Sequence, residues 1–223
     1  MKYIFTEEQF MTLLSLAGMK ECYLFQQQDD YEDDMVVSAI ADLYRTGRIL
    51  RTGGRLVPEE TLAGMIREMG QAEHVVRLQY AEEPFSQHLL YVAGKGINIV
   101  LEKQFLCQKF FVKLWREEAN YYVHEIFENE MLPENLLANR LDAQSIEERA
   151  WKEMPMEYEE KEFLLRAQRI QTVDGETDSR IDVFHASVFH WIHVYEGYDE
   201  YYHLYSSEEL AELLLRELKG EKI

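Results

Sequence analysis

Two stretches of this chain follow one pattern, and a chain that repeats itself is constrained to fold as quasi-equivalent halves around a shared core. Residues 110–122 read Phe-Phe-Val-Lys-Leu-Trp-Arg-Glu-Glu-Ala-Asn-Tyr-Tyr. Eighty residues later, 190–202 read His-Trp-Ile-His-Val-Tyr-Glu-Gly-Tyr-Asp-Glu-Tyr-Tyr. Residue character is kept where identity is not. Val112 and Leu114 fall on Ile192 and Val194, Phe111 and Trp115 on Trp191 and Tyr195, and Tyr121-Tyr122 on Tyr201-Tyr202. A leucine-rich helix is expected after each copy, through Leu136, Leu137 and Leu141 in the first and Leu213, Leu214 and Leu218 in the second.

The local signals give an order of elements. Thr6 and Gln9 have the spacing of a capping box, flanked by Phe5 and Phe10 at the staple positions, and Leu13, Leu14 and Ala17 carry the first helix to a stop at Gly18. A second helix turns Val36, Ile40, Leu43 and Tyr44 inward and ends near Gly47. Gly53-Gly54 then closes a short hairpin between Ile49–Arg51 and Arg55–Val57. Pro58 opens a third helix, with Leu62, Met65, Ile66 and Met69 inward and Gly70 at its end. Strands are expected over 74–80, 88–92, 97–101 and 109–115. Another is expected over 121–127, after a turn at 117–120. Ala119, Tyr122, Val123, Ile126 and Phe127 fit a helical stripe as well. The repeat decides for the strand, because its partner at 201–205 follows the turn residues Glu196-Gly197-Tyr198-Asp199.

The second half reads as a strand over 163–172, a turn at Asp174-Gly175, a strand over 180–195, a turn and a strand. A last helix follows, capped by Ser206 and Glu209 and ended by Gly220. The fold class is therefore α+β: antiparallel β meanders with packed helices, in two halves related by an internal duplication. Residues 1–141 form the N-terminal half and 163–223 the C-terminal half. Residues 142–162, with Glu147, Glu148, Glu157, Glu159 and Glu160, form an acidic helical connection, all within one integrated domain.

Composition narrows the function. Asp and Glu number 42 against 23 Lys and Arg, a net charge of -19, which repels nucleic-acid backbones and anionic lipid. No apolar run reaches the length of a membrane span and the first residues lack a signal core, so a cytoplasmic protein is expected. Cys22 and Cys107 have neither metal nor redox spacing and read as thiols.

Catalytic signals are absent. There is no Gly-x-Ser-x-Gly elbow, and Ala93-Gly94-Lys95-Gly96 lacks the spacing of a phosphate loop and its following Ser or Thr. The acidic run from Asp29 to Asp34 lacks the central Gly and distal Glu of a calcium loop. His185, His190 and His193 fall on one expected strand, where His190 points away from the other two, and His185 lies too far from His193 to share an ion. No catalytic residue, metal ligand or cofactor is assigned.

Two binding constellations remain. Arg45, Arg48, Arg51 and Arg55 surround the 45–57 hairpin as they would in a winged-helix DNA-binding regulator, a reading that the net charge disfavours. The repeat strands carry the other. Phe111, Lys113 and Trp115 share one strand face, matched by Trp191, His193 and Tyr195, and aromatics alternating with basic residues suit an interface. Phe111, Trp115, Trp191, Tyr195, Tyr198 and Tyr202 are the candidate partner-binding residues.

The element order also resembles a known family. A helical start leads to Ala-Asp-Leu-Tyr-Arg-Thr-Gly-Arg-Ile-Leu at 41–50 and Gly-Gly-Arg-Leu-Val-Pro at 53–58. A helix, a meander containing Tyr-Val-Ala-Gly-Lys-Gly at 91–96, and Leu-Pro-Glu-Asn-Leu-Leu at 132–137 follow, then a second meander and a terminal helix. Together these resemble the EspG family of type VII secretion-associated chaperones over most of the chain. The resemblance implies a twisted antiparallel sheet with pseudo-twofold symmetry. It also implies a cytosolic, non-enzymatic role: binding the tip of a helical-hairpin secretion substrate and keeping it soluble for export.

Overall fold

A computed structural model describes residues 1–19, 21–22, 25–26, 33–81, 86–94, 96–106, 109–128, 132, 163–186 and 189–221. The chain begins with strand β1 (Tyr3–Thr6), helix α1 (Glu7–Leu16) and two short strands, β2 (Glu21–Cys22) and β3 (Phe25–Gln26). Helix α2 (Asp33–Arg45), the hairpin β4 (Ile49–Thr52) and β5 (Arg55–Pro58), and helix α3 (Glu60–Gln71) come next. A first meander runs through β6 (His74–Tyr80), β7 (Ser86–Val92), β8 (Ile97–Leu106) and β9 (Lys109–Glu118) into helix α4 (Ala119–Glu128). A second runs through β10 (Phe163–Gln171), β11 (Thr177–Ala186), β12 (Phe189–Glu196) and β13 (Asp199–Leu204) into helix α5 (Ser207–Lys219). The α+β class expected from the sequence is the class observed.

The two meanders make one nine-stranded antiparallel sheet, in the order β1-β9-β8-β7-β6-β10-β11-β12-β13. Its centre is the β6–β10 pair, with Arg77 opposite Gln168 and Leu78 opposite Ala167. Adjacent antiparallel strands are related by a twofold axis normal to the sheet, so each meander meets its counterpart on the same face. Helices α4 and α5 accordingly lie together on one face. Tyr122, Val123 and Ile126 share a core there with Leu210, Leu214 and Leu218, over Val100, Ile181 and Val194. The opposite face carries α1 to α3 over the first meander, where Phe10, Leu13, Leu62 and Ile66 pack on Leu89, Ile99 and Leu114.

Several local expectations hold. The Thr6 hydroxyl accepts from the Gln9 N–H, the Gln9 side chain accepts from the Thr6 N–H, and the Phe5 and Phe10 rings pack 6.3 Å apart. Gly53 and Gly54 take φ of 58° and 82°, the left-handed pair that a two-residue hairpin turn needs. Leu62, Met65, Ile66 and Met69 are all buried.

Other expectations are corrected. Residues 119–128 are helical, not a strand after a turn: Ala119, Tyr122, Val123 and Ile126 have helical spacing and all four are buried. The expected strand over 180–195 is two strands, broken after Ala186. Glu59, not Pro58, caps α3, its carboxylate accepting from the N–H groups of Thr61 and Leu62. Tyr44 points outward, 56% exposed. Ser206 forms half of a capping box, because Glu209 turns instead to His203 at 2.6 Å. The repeat is also re-registered. The architectural equivalents are β6 with β10 and α4 with α5, an offset of about 90 residues, so β9 corresponds to β13 rather than β12. The helix through Leu136, Leu137 and Leu141 and the 142–162 connection lie outside the described residues, as do the side chain of Cys22 and all of Cys107.

A buried polar cluster ties α5 to the sheet. The Ser179 hydroxyl donates to Glu217 at 2.6 Å, the Arg169 guanidinium lies 3.3 Å from the same carboxylate, and Arg169 donates to the Glu221 carbonyl at 2.8 Å. Burial pushes the Glu217 carboxyl above its ordinary range, against the pull of Ser179 and Arg169. Replacing Arg169 with Met leaves that carboxylate buried without its cation, so Arg169→Met should cost about 3–5 kcal/mol near neutral pH by urea denaturation. The loss should shrink as the pH falls, because a protonated Glu217 needs no cation.

Candidate partner-binding surface

On the face opposite α5, the second meander presents a polar and aromatic array instead of an aliphatic core. Strand alternation puts Ile181, Val183, Ile192 and Val194 under the helices, which turns Arg180, Asp182, His193 and Tyr195 to the other side. Asp182 is fully buried and takes a two-pronged contact from Arg166, Nε to Oδ1 at 2.7 Å and Nη2 to Oδ2 at 2.9 Å, with Arg180 Nε at 3.4 Å. The planar fork of arginine matches a carboxylate in this way and is held flat by it. Arg166 lies over the Phe163 ring at 4.9 Å and Arg180 over Tyr195 at 6.0 Å.

His193 and Tyr202 are cross-strand partners whose rings stack at 4.3 Å and 8°. The His193 Nε2 lies 2.7 Å from the Glu200 carboxylate. Burial holds the His193 imidazole below its ordinary pKa, with Glu200 and Asp182 opposing and Arg180 assisting. It is therefore neutral near pH 7. Burial first, and then Glu200, raise the Tyr202 phenol, which stays a hydrogen-bond donor. Beyond them the chain turns at Gly197, φ 62°, and leaves Tyr198 fully exposed at the tip.

The six residues singled out in the sequence are scattered by this geometry. Tyr195 and Tyr202 are half-buried on this face with Tyr198 at its rim. Trp191 shares the face but is fully buried with Phe184 and Phe189 in a separate cluster. Trp115 is buried on the opposite face under Lys2, whose ammonium sits 4.4 Å from its ring, and Phe111 lies on that same face of β9. The expectation that both tryptophans are surface contacts is thus corrected: they are core. The cause is the repeat register. Leu114 and Val194, aligned in the sequence, belong to cores on opposite sides of the sheet.

Sequence reading missed Arg166, Arg180 and Asp182, whose proximity depends on the pairing of β10, β11 and β12. It also missed the β8–β9 tip, where Phe105 and Phe110 pack 4.9 Å apart and both remain exposed. With the corrected register this tip is the counterpart of the tip that carries Tyr198. The arginine-rich hairpin is only partly engaged by the fold. Arg48 covers the Tyr3 ring at 4.6 Å and Arg45 pairs with Asp42 at 2.8 Å, leaving Arg51 and Arg55 exposed.

No family profile matches the chain, and no curated protein matches it in sequence. Its fold is similar to that of a secretion chaperone. The solved structure is the Mycobacterium tuberculosis type VII secretion system chaperone EspG5 in complex with a PE25–PPE41 dimer. It superposes with a TM-score of 0.58 at 8% identity, over 98% of this chain and 95% of that one. At that identity the likeness is one of fold. Among the described residues no helix is long and apolar enough to cross a membrane.

Two outcomes follow from the burial pattern. Trp191→Ala should destabilise the protein by about 3–5 kcal/mol in chemical denaturation, as a truncated core aromatic does. The depressed His193 pKa means that the folded state binds fewer protons than the unfolded chain. Its contribution is present above the unfolded value of about 6.5 and is lost as the pH falls through the lower folded value. Melting curves from pH 7.5 to 5 should therefore decline less steeply for His193→Gln than for the wild type.

Proposed function

We propose that this protein is a cytoplasmic, non-enzymatic chaperone or adaptor that holds a helical secretion substrate of a type VII-like system. The observation that carries the reading is the end-to-end likeness of fold to EspG5, whose solved structure includes a bound protein dimer. The Tyr195–Tyr198–Tyr202 surface supports it. Tyr202 is held by stacking on His193 and so loses little conformational entropy on binding, and all three tyrosines offer both apolar area and a hydroxyl, which suits protein recognition. The net charge of -19 keeps such a carrier soluble and turns it from nucleic acid.

The test is affinity capture of the tagged protein from its own organism, with mass spectrometry and quantification of what is retained. A small helical protein in near-equal amount with the wild type, reduced at least tenfold with Tyr195→Ala/Tyr198→Ala at an unchanged melting temperature, is the expected result. Absence of any helical partner from the wild-type capture would overturn the reading. Retention of that partner by the double variant would move the contact surface elsewhere.

A further inference from the structure

The break after Ala186 brings together two histidines that a continuous strand would have kept on opposite faces. His185 on β11 is directly opposite His190 on β12, so both side chains leave the same side of the sheet. Their ring centres are 5.0 Å apart with planes at 47°. Two imidazoles that share one ion, each with nitrogen about 2.0–2.1 Å from it, have ring centres roughly 4.5–5.2 Å apart for angles from cis-octahedral to tetrahedral. The observed spacing falls within that range.

The surroundings point the same way. His190 is half-buried, and its Nδ1 is sealed from solvent without a hydrogen-bond partner. Tyr205 lies edge-on to it at 6.3 Å, buried, with its hydroxyl also sealed and without a partner. An unsatisfied buried polar atom is costly and uncommon, and the one on His190 calls for a reason. His185, by contrast, is exposed and opens the pair to solvent. His203, on the same face of β13, is already held by Glu209 at 2.6 Å and is not part of the set.

We propose that His185 and His190 form a two-imidazole site for a divalent transition-metal ion of the copper, nickel or zinc class. These ions favour imidazole nitrogen over the oxygen ligands that calcium and magnesium prefer. No three His, Cys, Asp or Glu side chains converge among the described residues, so water fills the remaining positions on the open His185 side and binding is weaker than at a closed structural site. A bound ion pins β11 to β12 beside their turn. It thereby stiffens the hairpin that carries Tyr195, although the site itself does not depend on the proposed chaperone role.

The experiment titrates the full chain, first stripped with chelator, with Cu²⁺ followed by electron paramagnetic resonance and with Zn²⁺ followed by calorimetry. One saturable ion is expected, with nitrogen hyperfine structure from two imidazoles. His185→Asn and His190→Asn should each weaken it at least tenfold, with the metal-free melting temperature of His185→Asn unchanged. If His190→Asn fails to fold, the exposed His185 decides alone. Absence of saturable binding to the wild type, or binding that survives His185→Asn undiminished, overturns the site.

Discussion

The β6–β10 pairing is the contact on which the rest of the molecule depends. Seven residue pairs, from Leu165 with Tyr80 to Gln171 with His74, join two separate meanders into one sheet. The join continues past the strand ends, where the Ala81 N–H donates to Leu164 and the Thr172 hydroxyl to the Ala72 carbonyl at 2.7 Å. Each strand is buried on both sides at this centre. Leu78 and Ala167 lie under α4 and α5, while Val75 and Ile170 lie under α1 to α3. A one-residue slip would exchange these sets between faces and carry Arg77 and Gln168, now hydrogen-bonded to each other, into the helical core.

That central join also explains why the two halves differ in what their faces do. The twofold relation places α4 and α5 side by side and makes one face a continuous helical core. On the other face, the N-terminal helices cover aliphatic residues of the first meander, whereas the second meander turns Arg166, Arg180, Asp182 and His193 to that side. Burying such charges is tolerable only because they are paired and hydrogen-bonded. The pairing also fixes the rings of Tyr195 and Tyr202. Tyr202 is stacked on His193 and Tyr195 lies beside Arg180, while Tyr198 is fully exposed at the adjoining tip.

Much of the fold was legible because its signals are local. The Thr6–Gln9 capping box, the Gly53-Gly54 turn and the stripe Leu62–Met65–Ile66–Met69 depend on residues within a few positions of one another, and each formed as the sequence indicates. The misreadings share another cause. Residues 119–128 carry both strand and helix character, and an assumed repeat register overrode the buried helical stripe of Ala119, Tyr122, Val123 and Ile126. The same register put Trp115 and Trp191 on a common surface, although they lie in different cores.

By itself the sequence determined the α+β class, many of the local helices, caps and turns, and the acidic balance of charge. Propensity, caps, turn residues and charge are properties of short segments or of sums over the chain. Only the tertiary structure decided which strands are neighbours and which way each side chain faces. From that followed the burial of Trp115 and Trp191, the Arg166–Asp182–Arg180 array and the meeting of His185 with His190. The physical reason is that strand side chains alternate with a period of two. A single turn or a shift of register reassigns a whole strand to the opposite face, and that choice is made by contacts far apart in the chain.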